Sequence, residues 1–193
     1  MCWVGGDFKK SHKTPKAHDG KDQNAAPRIP LRPRREMMTP GTISPGDLGN
    51  VSRVINHRLK GNKYAFIGGV ACSLLGSTRA THDFDIVVPN GTKDKILSTL
   101  AKDKSCFGTA EGGIWVRIDH RRYNLDIIEP KQIGQTFDGH EVVDVRGVKV
   151  LKPEKLLDYK RDSYETRDRA RVQSLDNDVR DIAFLNEYLT ERS

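Results

Sequence analysis

Apolar positions after about residue 46 recur at two spacings, and the switches between them predict an order of elements. Leu48, Val51, Ile55 and Leu59 fall at helical spacing behind Ser44-Pro45-Gly46-Asp47, which predicts an amphipathic helix from Asp47 to Lys60. Tyr64 to Ile67 reads as a short strand, and Val70 to Leu75, between Gly68-Gly69 and Gly76, as a short buried helix. Asp83 to Val88, rich in β-branched residues and closed by Pro89-Asn90-Gly91, reads as a second strand. Thr92 to Lys102 places Ile96, Leu97 and Leu100 on one helical face. Two apolar runs, Gly113 to Ile118 and Tyr123 to Ile128, flank Asp119-His120-Arg121-Arg122 as an antiparallel hairpin would. Val142 to Val145 and Val148 to Leu151 flank Arg146-Gly147 in the same way. Helices are expected from Pro153 to Arg171 and from Leu175 to Leu189, with Pro153 suited to a first turn. The sum is an α+β domain on a mixed sheet flanked by helices, with a helical C-terminal part.

Composition separates this domain, residues 47–193, from residues 1–46. Six of the nine prolines precede Asp47, and so do nine Lys/Arg against four Asp/Glu, leaving 24 against 22 for the rest. The net charge of +7 therefore belongs mainly to the first segment. With no sustained apolar periodicity it buries too little to offset its ordering entropy, and a disordered basic tail is expected. Such a tail suits contact with RNA, DNA or an acidic surface, or is simply solvated. Its Arg content leaves organellar targeting open, although Asp7, Asp19, Asp22 and the prolines oppose an amphipathic presequence. Neither a secretory segment nor an apolar span near 20 residues occurs, so an intracellular, cytoplasmic protein with no membrane partner is expected. Cys2, Cys72 and Cys106 are widely spaced and suggest neither zinc nor a disulfide framework; Cys72 reads as a core thiol.

Three aspartates interrupt the apolar strands. Asp83 and Asp85 flank Phe84, so they share one face about 6–7 Å apart at the Cα atoms while Phe84 packs on the other. Asp126 lies between Leu125 and Ile127 and falls on the face opposite theirs. Carboxylates set among apolar strands are costly unless paired or bound to a cation, and this set matches a site for two Mg²⁺ ions, with Mn²⁺ as a substitute. Gly68-Gly69, between strand and helix, permits a tight turn, and the amides at the helix start can receive phosphate oxygens. Ser73, one turn in, offers either a hydroxyl to the ligand or a local hydrogen bond. Arg79 either neutralises triphosphate charge or pairs with a carboxylate of the cage. His82 points away from the carboxylates, and Arg167, Arg169 and Arg171, alternating with acids, read as a solvated face. Phosphate-binding amides beside a metal cage are two halves of a triphosphate site.

Gly68-Gly69, about a dozen residues, then Asp83-Phe84-Asp85 and a later Asp126 resemble the signature of the nucleotidyltransferase superfamily. The stretch from Phe66 to Asp85, with Gly76-Ser77-Thr78-Arg79-Ala80-Thr81, looks most like small minimal nucleotidyltransferases related to type IV toxin–antitoxin toxins. The segments 151–160, 167–169 and 178–182 are similar to the tails of those proteins; the likeness spans roughly residues 62–189 and leaves the N-terminal segment out. The resemblance implies catalytic and metal-binding roles for Asp83, Asp85 and Asp126, and nucleotide binding by Gly68, Gly69, Ser73, Arg79 and Lys160. Lys160 matches a cleft-facing lysine of the first tail helix, though a solvated lysine fits the position equally. The implied activity is transfer of a nucleoside monophosphate from an NTP such as ATP to an acceptor, with pyrophosphate leaving. The acceptor is a tRNA or other RNA end, a protein hydroxyl or a small molecule, and the fold alone does not choose. The rival expectations are a non-catalytic nucleotide-binding or interaction protein of the same fold, and a nucleic-acid-binding module acting through its tail.

Overall fold

The computed structural model describes residues 41–192 apart from 111, 112, 119 and 134. The tail expected to be disordered lies, up to residue 40, outside the described residues. The elements run α1 (Pro45–Arg58), β1 (Ala65–Ile67), α2 (Gly68–Leu75), β2 (Asp83–Val87), α3 (Lys93–Ala101), β3 (Phe107–Ala110), β4 (Gly113–Ile118), β5 (Arg121–Ile128), β6 (Val142–Val145), β7 (Val148–Leu151), α4 (Pro153–Thr166) and α5 (Val172–Thr190). One mixed sheet takes the order β3-β4-β5-β2-β1-β7-β6, the α+β architecture that the pattern predicts.

Among the described residues, ordered structure reaches a few positions ahead of the expected boundary at 46. Pro45 occupies the first turn of α1, and the Ser44 hydroxyl accepts from the Asp47 amide at 3.1 Å, a side-chain N-cap. Ile43 is buried, and its amide donates to the Thr81 carbonyl at 2.9 Å. A cap is polar and short, so the apolar periodicity that marked Asp47 as the start could not register it.

At the centre of the sheet, β2 pairs antiparallel with β1 and parallel with β5. Burial alternates along β5 and along β2 as far as Ile86: Phe84 and Ile86 on β2, and Tyr123, Leu125 and Ile127 on β5, lie in the core. Tyr64, Phe66, Phe84 and Tyr123 form a chain of edge-to-face contacts with centroids 5.7–6.5 Å apart. Val51 and Ile55 of α1 and Ile96 and Leu100 of α3 complete the same core. The rings hold down the side of β2 that its carboxylates do not use.

Two departures from the sequence reading have local causes. β3, which the pattern does not predict, is four residues long with Phe107 as its one core side chain; it exists by pairing with β4. The helix expected to reach Arg171 ends at Thr166. There the Asp168 side chain accepts from the Ala170 amide at 2.9 Å, a local bond that competes with continued helix and separates α4 from α5. Among the described residues no helix is long and apolar enough to cross a membrane.

Candidate active site

The parallel register of β2 and β5 sets Asp85 directly opposite Asp126, and Asp83 opposite Asn124. Since Phe84, Leu125 and Ile127 take the core side, the three carboxylates share the other face. One oxygen from each lies within 4.8 Å of the others. Asp85 is partly buried, whereas Asp126 is exposed. Beside them β1 reverses into α2 at Gly68, whose φ of +67° is open to glycine with little strain. The Asp85 carboxylate rests against the Gly68 Cα, in the space a Cβ would fill. Gly69 is buried, and a Cβ there would meet the Arg79 guanidinium and the Thr81 hydroxyl. The N-cap of α2, Ile67, makes no side-chain capping bond, so no side chain covers the first amides from that position.

Burial, then Asp83, then Asp126 push the Asp85 carboxyl up to about 7, against the opposing pull of Lys160 and Arg167. Asp126 is raised by burial and by Asp83, with Lys93 working the other way. The all-oxygen donor set suits a hard divalent cation, whose charge would relieve this repulsion. The residues therefore fit the implied metal.

A cleft of about 500 Å³ opens over the carboxylates, lined also by Gly68 and by Leu156, Tyr159, Lys160, Ser163 and Arg167 of the α4 region. Lys160 thus stands at the cleft, with its ammonium held by Asp181 at 2.7 Å and Asp178 at 3.1 Å. Burial alone would lower the Lys160 pKa, but Asp181 and Asp178 outweigh it and the net direction is up. Arg167 is not on a purely solvated face: its Nε donates to Asp178 at 2.9 Å and its Nη2 to the Ser163 hydroxyl at 2.7 Å.

Arg79 reaches none of the three cage carboxylates. Its fork donates to both oxygens of Asp181, at 2.6 and 2.9 Å, and to the Ala80 carbonyl at 2.7 Å. The Ser73 hydroxyl donates to the Arg79 carbonyl at 3.3 Å, the local bond rather than the cleft. His82 is exposed and lines a separate hollow between the loop 76–83 and α5. The sequence reading assigned no role to Asp178 and Asp181, which are almost wholly buried and tie α4 and the loop before β2 to α5. Their i, i+3 spacing on a helix with an apolar stripe was the available signal, since two acids one turn apart on a buried face need cations.

No family model matches the sequence, and no curated protein matches it. Solved structures similar to it include the following three. A proposed nucleotidyltransferase from H. pylori is 20% identical over 76% of this chain and 70% of its own, with a TM-score of 0.46. A proposed nucleotidyltransferase from Thermotoga maritima is also 20% identical, covering 76% and 95%, with a TM-score of 0.43. ANT(2″)-Ia in complex with adenylyl-2″-tobramycin is 12% identical, covering 75% and 99%, with a TM-score of 0.38. Every score is below 0.5, and the reading of the site rests on its own geometry.

Two expected results follow from that geometry. Asp85 has its pKa raised on folding, so the native state holds a proton that the unfolded chain releases near pH 4. This group's contribution to stability is complete below about pH 4 and is lost as the pH rises through about 7. Asp126 acts in the same direction. In chelator, Asp85→Asn should flatten the decline in stability between pH 4 and 7, and added Mg²⁺ should raise the wild-type melting temperature more at pH 8 than at pH 5. A magnesium effect independent of pH and of residue 85 would contradict this picture. Gly68→Ala places a methyl group on Asp85 and strains a positive φ, with a stability loss of about 1–3 kcal/mol. Its magnesium-induced shift in melting temperature should be smaller than that of the wild type.

Proposed function

We propose that the chain is a metal-dependent nucleotidyltransferase, moving a nucleoside monophosphate from an NTP to a hydroxyl acceptor with release of pyrophosphate. The supporting observation is the meeting, in one cleft, of three carboxylates within 4.8 Å with the glycine turn that opens α2. Asp83 and Asp85 would hold divalent cations on the triphosphate, and Asp126, with Asp85, one on the acceptor side. A bound cation supplies charge neutralisation for the attacking and departing oxygens. The backbone at Gly68 and Gly69 and the Lys160 ammonium are assigned to the triphosphate. Arg79 and Ser73 support it indirectly, by fixing the loop that leads into β2.

In the reaction the acceptor oxygen bonds to the α-phosphorus while the bond to the bridging oxygen of the β-phosphate breaks. The electron pair leaves with pyrophosphate. The acceptor proton passes to the Asp126 carboxylate. Holding donor and acceptor in line on a rigid sheet contributes the rest.

The test is pyrophosphate release by the full chain with Mg²⁺ and each of the four NTPs, followed by mass spectrometry of RNA, protein and small-molecule acceptors. A nucleotide mass added to one acceptor class is expected. Magnesium-dependent NTP binding without release in any mixture would favour the non-catalytic rival, and no binding at all would overturn the reading.

A further inference from the structure

The face of the sheet that carries the carboxylates continues beyond them. In register, Asp83 on β2 is followed by Asn124 on β5, Trp115 on β4 and Gly108 on β3. The core side of the same strands is filled by Ile114, Val116, Tyr123 and Leu125, so Asn124 and Trp115 share the carboxylate face. Trp115 is part-exposed and Asn124 exposed. The indole occupies the space above Gly108, where any Cβ would collide with it; the glycine lets the ring lie down on the sheet. Arg122, exposed and two residues before Asn124, places its guanidinium 4.5 Å from the Trp115 ring centroid. Arg117, its cross-strand partner, is held by the Ser105 carbonyl, and neither arginine forms an ion pair with a carboxylate among the described residues.

The site is polarised along the sheet. Gly68, α2 and Lys160 lie on the β1 side of the carboxylates, where the triphosphate is assigned, and Asp126 lies on the β5 side. What stands beyond Asp126 faces the acceptor. There the chain offers an indole, a guanidinium stacked on it, an exposed amide and a second cation. A base has a π-face for such a stack, and its phosphates suit the two arginines. A protein hydroxyl or an aliphatic amino sugar would use neither plane.

We infer that the acceptor is the end of a single-stranded nucleic acid, with a base stacked on the Trp115–Arg122 pair and its terminal sugar hydroxyl delivered to Asp126. This rests on the nucleotidyltransferase reading, and its test separates the two. Fluorescein-labelled oligonucleotides of one sequence, as single-stranded RNA, single-stranded DNA and duplex, are titrated with the full chain and followed by anisotropy. Mg²⁺–ATP binding is measured separately by calorimetry.

Single strands should bind more tightly than duplex, with affinity falling as salt rises. Trp115→Ala and Arg122→Ala should each weaken that binding about tenfold or more. Trp115→Phe should retain most of it, and Mg²⁺–ATP affinity should be unchanged in all three variants. The RNA and DNA arms identify which sugar is accepted. Strand binding undiminished in Trp115→Ala would assign it to another surface, such as the basic N-terminal segment, and overturn the inference. So would wild-type protein that binds Mg²⁺–ATP but neither strand. Loss of Mg²⁺–ATP affinity together with strand binding in Trp115→Ala would also overturn it. Strand binding that needs Trp115 in a protein that never binds Mg²⁺–ATP would sustain the platform and refute the transferase reading instead.

Discussion

Asp181→Ala is expected to destabilise the protein by about 3–5 kcal/mol, the range for removing one partner of a buried ion pair. Asp181 is fully buried and holds two cations at once, Arg79 through both oxygens and Lys160 at 2.7 Å. Neither cation can simply move to water, because both side chains are only about an eighth exposed. Against a typical total of about 5–15 kcal/mol the loss is severe, roughly 10 °C in melting temperature for a domain of this size. Urea and thermal denaturation measure it directly. A loss below about 1 kcal/mol would show that water screens these pairs as it does at a surface.

Replacing Asp83 and Asp85 together by asparagine should lower magnesium-dependent nucleotidyl transfer by at least about a thousandfold, because the cation site loses two of its three charged donors. The fold should survive. Asparagine is nearly isosteric, and the apoprotein should be at least as stable at neutral pH because mutual repulsion around Asp85 is removed. Asp126→Ala should behave differently, sparing NTP binding more than turnover, since its assigned role appears once the acceptor is in place. Pyrophosphate release and calorimetric NTP binding on both variants separate the effects. Wild-type affinity for Mg²⁺–ATP in Asp83→Asn with Asp85→Asn, or wild-type turnover in Asp126→Ala, would contradict the assigned division of labour.

The sequence made legible what depends on period and on local spacing. Alternation about Phe84 and about Leu125 and Ile127 put the aspartates on a common face, as the burial of β2 and β5 bears out. It did not reveal that β5 pairs in parallel with β2, 41 positions earlier by register, since pairing partners leave no periodic mark. Arg79 shows the same boundary. Its charge was evident, but not that a carboxylate 102 residues away would claim it. Arg167 misled for a related reason: an alternation of acids and bases looks solvated until a buried Asp178 is known to face it. β3 was too short to show a period, and the cap at Ser44 is a single polar contact.

The Asp181 clamp also sets an order of events during synthesis. Arg79 and the loop into β2 leave the ribosome about a hundred residues before their counter-ion. Until α5 has emerged, Arg79 and Lys160 must stay hydrated or find temporary acidic partners, and for Lys160 the Asp85 carboxylate is within electrostatic reach. A nascent chain stalled before residue 178 should therefore hold its β2 loop open to protease and gain little protection from magnesium. Release of the remaining helix would set the loop, the lysine and the carboxylates in one step.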